Sequence, residues 1–552
     1  MIKQADYRPP FYADWKSGRL DTTLAALDRA VEAVPNKTFL DIDGARISYA
    51  EFDHASTRLA HALRALGLGA GETLVTLLET SIDPLLAWFG ANRLGAVWVP
   101  MNTAYRGQFL AHQVRDADAA IMICESRFLA DVLAVAEEIP ALRTLLVRGP
   151  CKPHVVGRLR IEPLDAYRGH DESPIAHAAA PSELSCLIYT SGTTGPSKGC
   201  MIPHGHIMQF GWQNWEAVPQ GPDDVSWSPL PIFHVGAIVA VVLSSLIAHG
   251  SGALSSGFSV SRFWPEIERT GATITFILGS MLVLIAEAPD SPTMLRCVGQ
   301  LRMMTGVPIS VPIRAIWHER FGVGYINSFN YAQSETSKLG HVAHGDPLPP
   351  PGSAGYVNAA DFDLMIADEA GHPVPPGTPG ELLCRPKRPN VMFSGYWRHP
   401  QATVEAWRDL WMHTGDMARI DGNDVLYFVD RKKDYLRRGG ENISSWEMEA
   451  TFKGHPSVAD VAVHAVKSEL AEDDVKVTIV LRDDVTAREE ELFEWCLTRV
   501  PRFAIPRYIE FRRELPMTPT GKVQKYRLRD DGCTEATWQP DPERLREARR
   551  RR

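Results

Sequence analysis

Tyr189-Thr190-Ser191-Gly192-Thr193-Thr194-Gly195-Pro196-Ser197-Lys198-Gly199 is the stretch on which the reading of this chain turns. Three glycines, five serine or threonine hydroxyls and one lysine fall within these eleven positions. They come directly after the mostly apolar run Leu184-Ser185-Cys186-Leu187-Ile188. Glycines let backbone N–H groups approach phosphate oxygens, hydroxyls add donors, and the lysine adds positive charge. The composition therefore suits a loop wrapped around a polyphosphate. It is not a Walker A loop, G-x-x-x-x-G-K-[ST], because Lys198 follows Ser197 and Gly199 follows the lysine. Taken alone, such a cluster reads equally well as a polar surface loop after a strand.

Around that stretch lies an ordinary soluble composition, 45% apolar and 23% charged. A chain of 552 residues exceeds what one hydrophobic core serves, so at least two domains are expected. Lysine and arginine total 58 against 67 acidic residues, a net charge of −9, which argues against a general nucleic-acid binder. Eight scattered cysteines without a C-x-x-C pair suggest neither a disulfide framework nor a zinc site; a reducing, cytoplasmic setting fits best. The first residues carry no apolar signal core. The most hydrophobic run, 235–248, is too short to span a bilayer and contains Ser244 and Ser245, so it reads as a buried helix. The arginine-rich end, 543–552, reads as a solvated or frayed terminus.

From about residue 20 to 180, helical and strand patterns alternate. A helical spacing from Tyr49 stops at a glycine; Thr73-Leu74-Val75-Thr76-Leu77-Leu78 reads as a strand, the stretch from Pro84 as a helix, and Ala96-Val97-Trp98-Val99-Pro100 as another strand. Such alternation predicts an α/β fold with a parallel sheet covered on both faces. Residues 149–181, rich in Gly, Pro and His, read as a surface connection within one large domain. Proline and glycine cluster again at 347–355 and 373–380, before short β-type runs that predict a small β-rich subdomain. After Asp430 the pattern restarts. Helices are expected at 445–452 and 489–499, strands at 458–466 and 475–481, enough for a separate α+β domain of roughly 120 residues. The expected division is 1–430, a hinge at 431–433, a mobile domain at 434–530, and a basic tail at 531–552.

The order Tyr-Thr-Ser-Gly-Thr-Thr-Gly, then Pro, Ser, Lys and Gly, resembles the phosphate loop of the adenylate-forming superfamily, which includes acyl-CoA ligases, luciferases and adenylation domains of peptide synthetases. Further elements follow in that family's order. Trp227-Ser228-Pro229-Leu230-Pro231-Ile232-Phe233-His234 is similar to its Pro-Leu-Pro-x-Phe-His element, which implies that Phe233 and His234 border an acyl pocket. Thr305-Gly306-Val307-Pro308, after an expected strand at 301–304, is similar to its Ser-Gly-Ala-Pro turn, where the glycine admits an adenine ring. Asn330-Tyr331-Ala332-Gln333-Ser334-Glu335 resembles its Tyr-Gly-x-Thr-Glu element, with Ala332 in place of glycine and Ser334 in place of threonine. A tyrosine face can cover adenine, and a hard carboxylate suits Mg²⁺ bridging phosphates. Glu335 is thus the expected magnesium ligand, with the Thr190 hydroxyl beside it.

Thr414-Gly415-Asp416 matches an element whose aspartate accepts from the ribose hydroxyls. Asp430-Arg431-Lys432-Lys433-Asp434 resembles the hinge, with Arg431 on ribose or phosphate and Lys433 as pivot. Arg438-Gly439-Gly440-Glu441 reads as a glycine-bearing hairpin and resembles the one that lines the family's pantetheine tunnel. Lys522, directly after Gly521, matches the catalytic lysine. Gly236, Gly279 and Ala332 are further acyl-pocket candidates, with Phe210, Gly211 and Ser280. Trp212, Trp215 and Trp227 are candidates to close that pocket, and a bulky or medium-length apolar acid is the expected substrate.

The resemblance runs from the 40s to the 520s and points to the acyl-CoA ligase branch. It implies a two-step reaction of a small carboxylic acid with ATP and coenzyme A, Mg²⁺-dependent, with no nucleic-acid partner, no transmembrane segment and a homodimer possible. Three alternatives stay open: loading of a separate carrier protein, a luciferase-like oxygenase, and a nucleotide-binding protein without catalysis.

Overall fold

The computed structural model describes residues 7–550 apart from 191–195, 308, 310, 369, 432–435, 439–440, 444, 468–472, 484, 517–522 and 524, and describes the backbone alone at 280, 307, 429–431, 437, 442, 446 and 526. Two large sheets carry the N-terminal part. One has eight strands; its middle runs Leu184–Thr190, Val97–Pro100, Thr73–Leu77, Ile121–Glu125, Thr144–Arg148 and Leu159–Pro163, all parallel neighbours. Lys198–Pro203 and His154–Val156 close its two edges antiparallel. The 149–181 segment, expected as a connection, thus contributes the last two strands on one side of the sheet. Leu159 and Ile161 alternate inward there and supply the apolar face that a strand needs.

The second sheet orders Tyr325–Asn327, Met303–Val307, Ile274–Leu278, Val225–Ser228, Ser251–Leu254, Thr38–Ile42 and Ala45–Ser48. Its central strands are parallel and covered on both faces. Trp227, Ile277 and Met304 point to one side, into a cluster with Phe263, Trp264 and Trp317. Ser226, Ile274, Phe276 and Thr305 alternate to the other side, beneath the helix His204–Ala217 and the 235–248 helix. The latter is the expected buried helix, but Ile238–Leu243 take π-helical geometry within it. Ser244 marks the wider turn: its hydroxyl donates to the carbonyl of Val239, 3.0 Å away and five residues back.

Local signals agree with these elements. Ser48 and Glu51 form a reciprocal capping box at the start of the helix Tyr49–Ala65. That helix packs on Ile82–Asn92 so closely that a side chain at Gly90 would come within 3.1 Å of the Ser56 carbonyl. An antiparallel five-stranded sheet spanning Phe362–Ala367 to Leu426–Arg431 forms the expected β-rich subdomain. The hairpin Leu436–Arg438 with Glu441–Ile443 follows, then a three-stranded sheet of Val458–Lys467, Asp473–Leu481 and Tyr508–Phe511. Its own core, with Leu436, Met448, Phe452, Val477 and Phe493, is separate from those of the larger part.

The arginine-rich end is not a frayed tail. Pro542–Arg550 is a helix whose Leu545 is buried in the small domain's core. Arg544 pairs with Glu490 and Glu494, 2.5 and 2.6 Å away, on the Glu489–Cys496 helix. Leu545 and Ala548, three residues apart on one face among the charges, dock it on that core.

Candidate active site

The antiparallel pairing of Leu184–Thr190 with Lys198–Pro203 sets Thr190 opposite Lys198. Ser191, Gly192, Thr193, Thr194 and Gly195, between them, lie outside the described residues. The Thr190 hydroxyl donates to Oε1 of Glu335 at 3.2 Å. The same oxygen accepts from the hydroxyl of Tyr396 at 3.1 Å, and Nζ of Lys198 stands 5.1 Å from the centre of the Tyr396 ring. Burial, with Glu335 adjacent, pushes the Tyr396 phenol far above its ordinary value, so it stays a donor.

Tyr396 therefore joins three expected residues and was not among them. Its signal was Ser394-Gly395-Tyr396-Trp397, a glycine followed by two aromatics. The backbone of that segment bonds along the Lys198–Pro203 strand, with Met201 N–H donating to Gly395 and Trp397 N–H to Gly199.

Asn330–Gln333 forms a strand that turns toward Ser337. Asp416, 3% exposed, accepts at Oδ2 from the Tyr331 hydroxyl at 2.7 Å and from Nε2 of Gln333 at 2.9 Å. The Tyr331 ring lies nearly parallel to Phe428, centroids 6.3 Å apart. Asp416 also pairs across the sheet with the backbone of Arg431. Ala332 is half-buried against the large core, and Asn330 and Ser334 are half-buried nearby. Ser337, just beyond Glu335, is fully buried at φ 61, an uncommon conformation for a non-glycine residue.

Two expectations change. Residues 305–307 belong to the strand Met303–Val307 rather than to a turn. At Gly306 an added side chain would meet Leu282 at 2.6 Å. This glycine is needed by the packed helix Gly279–Glu287 and not, on that face, by a ligand. Pro308 lies outside the described residues. The tryptophans do not close a pocket: Trp227 points into the opposite cluster, while Trp212 stacks on Trp15 and contacts Trp215. Phe210 and Gly211 are likewise spent on packing; a side chain at Gly211 would meet Ile247 and Leu243 at 3.1 Å.

Phe233 and His234 remain half-buried with ring centroids 4.8 Å apart. A side chain at Gly236 would come 3.0 Å from Phe276. Gly279, at the end of the Ile274–Leu278 strand, is half-buried as well.

The small domain reaches this place through its hairpin. Oε2 of Glu441 is 2.6 Å from Nε2 of His234 and accepts from Nδ2 of Asn102 at 3.1 Å. Oε1 of Glu447 accepts from the backbone N–H of Ser197 at 2.9 Å. Burial raises the Glu447 carboxyl to about 7, against a smaller opposing effect of that bond. Arg438, beside the hairpin's tip, pairs with Asp474 at 3.4 Å. Gly439, Gly440, Lys433 and Lys522 lie outside the described residues. Asn102, two residues after the Val97–Pro100 strand, was not among the expected site residues; nothing local to an asparagine says what it will face across domains.

A family model described as AMP-binding enzyme matches residues 27–397, and one described as AMP-binding enzyme C-terminal domain matches 447–522. The chain is 27% identical over 489 residues to a crotonobetaine/carnitine–CoA ligase of Salmonella arizonae, covering 87% of this chain and 93% of that protein. It is 29% identical over 511 residues to a feruloyl-CoA synthase of an Amycolatopsis species, covering 91% and 97%. In fold it is similar to an o-succinylbenzoate CoA synthetase from Bacillus subtilis, solved with a product analogue. There the TM-score is 0.79 at 22% identity, over 93% of this chain and 99% of that one.

Proposed function

Because this chain belongs to the AMP-binding enzyme family, we propose that it is an ATP-dependent acyl-CoA ligase, an AMP-forming acid–thiol ligase. The observation that carries this reading is that the small domain meets the large one beside the Thr190–Glu335–Lys198 group, Glu447 accepting from the backbone of Ser197, while its hairpin sets Glu441 against His234. Adenylate chemistry and thiol delivery then share one centre. The CoA-ligase names of the relatives favour coenzyme A over a carrier protein as acceptor.

In the first step an oxygen of the substrate carboxylate attacks the α-phosphorus of ATP. The bond to the pyrophosphate oxygen breaks, leaving an acyl-adenylate. Like charges meet here, so cations and backbone dipoles arranged beforehand lower the barrier. Lys198 and the 191–195 loop supply them from the large domain, and Lys522 from the small one. Asp416 and Arg431 hold the ribose and Tyr331 covers the adenine, with Asn330, Ala332, Gln333, Ser334 and the 306–308 backbone around them. Glu335 would hold Mg²⁺, which when bound neutralises phosphate charge. One carboxylate with hydroxyls beside it suits an ion that completes its shell with water and phosphate oxygens. No larger cluster of metal-binding side chains occurs among the described residues.

In the second step the small domain, 434–530, turns about Lys433. Lys522 withdraws and the hairpin with Arg438, Gly439, Gly440 and Glu441 lines the path of the pantetheine arm. The thiol attacks the acyl carbonyl, the bond to the AMP oxygen breaks, and the thioester leaves. Phe233, His234, Gly236, Gly279 and Ala332 border the acyl group. We place the enzyme in the cytoplasm; among the described residues no helix is long and apolar enough to cross a membrane.

The test is pyrophosphate release over a panel of carboxylic acids with ATP, followed by mass spectrometry for acyl-CoA. Release of pyrophosphate without thioester on free CoA would transfer the reading to a carrier-loading enzyme.

A further inference from the structure

The helix Gly107–Ala117 holds both ends of the 191–195 loop from one of its faces. Leu110, Ala111, Val114 and Ala117 anchor it in the apolar core on one side of the eight-stranded sheet. His112 and Asp116 stand four residues apart, one turn along the helix, and so face the same way. Nε2 of His112 is 2.8 Å from the carbonyl oxygen of Ser197; a carbonyl only accepts, so this nitrogen carries the proton. Oδ2 of Asp116 accepts from the Tyr189 hydroxyl at 2.7 Å. Ser197 and Tyr189 are the chain neighbours of Lys198 and Thr190.

The tie reaches a third segment. Oδ1 of Asp116 lies 2.7 Å from Nε2 of His399, whose backbone N–H donates to the Tyr396 carbonyl at 3.1 Å. One carboxylate, 10% exposed, therefore holds the strand that ends in Thr190 and the turn that carries Tyr396. The hydroxyls of Thr190 and Tyr396 both donate to Oε1 of Glu335. Tyr189 passes the hold across the ladder as well: it pairs with Gly199, where an added side chain would come 3.2 Å from its ring. Burial, and then Asp116, push the Tyr189 phenol well above its ordinary value, so it stays a donor.

The helix needs none of these bonds for its own packing, because its apolar face is already covered. Burying a carboxylate also costs free energy that an apolar side chain would not. What the bonds share is their targets, each on or beside a segment that borders Glu335. The Ser197 N–H donates to Glu447 of the small domain; on the proposed mechanism that contact is lost when the domain turns, and the His112 bond is the one that stays.

Resting on the ligase reading above, we propose that His112 and Asp116 are positioning residues for adenylation: they fix both ends of the phosphate loop and the Tyr396 turn to one rigid helix, so that Thr190, Lys198 and Tyr396 keep their places around Glu335. Both act through other residues. Groups that meet developing charge are worth most when they need not move, and a displacement of about 1 Å can cost about 100-fold in rate. Attack of a thiol on an acyl-adenylate already formed does not depend on where the loop holds the pyrophosphate, so the two half-reactions separate this role from general stability.

The experiment uses the full-length enzyme, with single-turnover pyrophosphate release for adenylation and thioesterification of a supplied acyl-adenylate for the second step. Asp116→Ala should slow adenylation about 10-fold or more and change thioesterification less than about two-fold. His112→Ala should act in the same direction, and His112→Gln, which keeps a donor for the Ser197 carbonyl, should restore most of the rate. Tyr189→Phe removes one hydroxyl and should add little to Asp116→Ala, because the two belong to one bond. Asp118→Gly is the control: it keeps the φ of 57 at the helix end and removes only the exposed pair with Arg398, so both steps should match the wild type. Equal loss in both half-reactions, full additivity of Tyr189→Phe and Asp116→Ala, or an equal effect of Asp118→Gly would overturn the proposal. Should Asp116→Ala not fold, Tyr189→Phe alone and the His112 pair decide by the same ratio of steps. Calorimetric binding of MgATP keeps this apart from the ligase reading, which fails if the wild type releases no pyrophosphate with any acid. Weaker MgATP binding by Asp116→Ala than by the wild type would then still support the positioning role, and equal binding would sink it too.

Discussion

Oε2 of Glu441, on the small domain, lies 2.6 Å from Nε2 of His234, on the large one at the proposed acyl pocket. Nδ2 of Asn102 donates to the same oxygen. Three segments more than a hundred residues apart thus meet on one carboxylate oxygen, and the hairpin that carries it is held over the pocket. On the proposed mechanism this contact belongs to one arrangement of the domains, and the arrangement that brings in Lys522 would break it. Glu441→Gln should slow thioester formation about 10-fold while changing adenylate formation much less. Single-turnover rates of the two half-reactions check this, and equal loss in both would contradict it.

The same division predicts opposite effects at two glycine-adjacent sites. Lys522→Ala should cripple adenylation while leaving thioesterification of a supplied acyl-adenylate nearly intact. Gly440→Leu, which fills the expected path of the pantetheine arm, should do the reverse. A mutant that loses both steps equally would refute two separate arrangements.

Glu447 makes the domain equilibrium depend on pH. In the described arrangement burial raises its carboxyl from 4.5 to about 7. The docked state therefore binds the proton more tightly than a small domain turned away. Docking is favoured most below the ordinary value near 4.5, and that advantage is lost as pH rises through about 7. Fluorescence energy transfer between one label on each domain should report more of this arrangement at pH 6 than at pH 8. Glu447→Gln should flatten the dependence; an identical slope in the variant would assign the effect elsewhere.

Tyr396 positions Glu335 by its hydroxyl and Lys198 by its ring face. Tyr396→Phe keeps the ring and loses one neutral-to-charged bond, so adenylation should fall by about 10-fold or less. Tyr396→Leu loses both and should fall further, with a higher Mg²⁺ requirement in each case. A magnesium titration of pyrophosphate release distinguishes this from simple instability, which would leave the Mg²⁺ midpoint unmoved.

The C-terminal helix is a structural part of the small domain. Leu545→Ala removes a buried side chain from that core and should destabilise the domain by about 2 kcal/mol or more. Thermal unfolding of the variant, against Arg546→Ala on the exposed face, measures it. Equal melting temperatures would mean the helix is merely laid on the surface.

Much of this protein was legible before its structure. The alternation of patterns through residue 180, the restart after Asp430 and the ordered motifs were enough to expect parallel-rich sheets covered by helices, a β-rich subdomain and a smaller domain. Helix period, strand period and capping act within a few residues, which is the range over which sequence speaks directly. Thr190, Lys198, Glu335, Tyr331 and Asp416 could be named because short motifs around them, in this order along the chain, resemble those of the adenylate-forming family.

What sequence left undecided is who faces whom. Gly306 looked like room for a base and proved to be room for Leu282. Trp227 looked like a pocket wall and points through the sheet to its other side. Tyr396 and Asn102 meet Glu335 and Glu441 from distant parts of the chain, and no local pattern names those partners. Strand and helix periodicities state that a side chain is buried, but the partner it meets is set by the packing of elements far apart in the chain. That choice exists only once the layers have closed on each other.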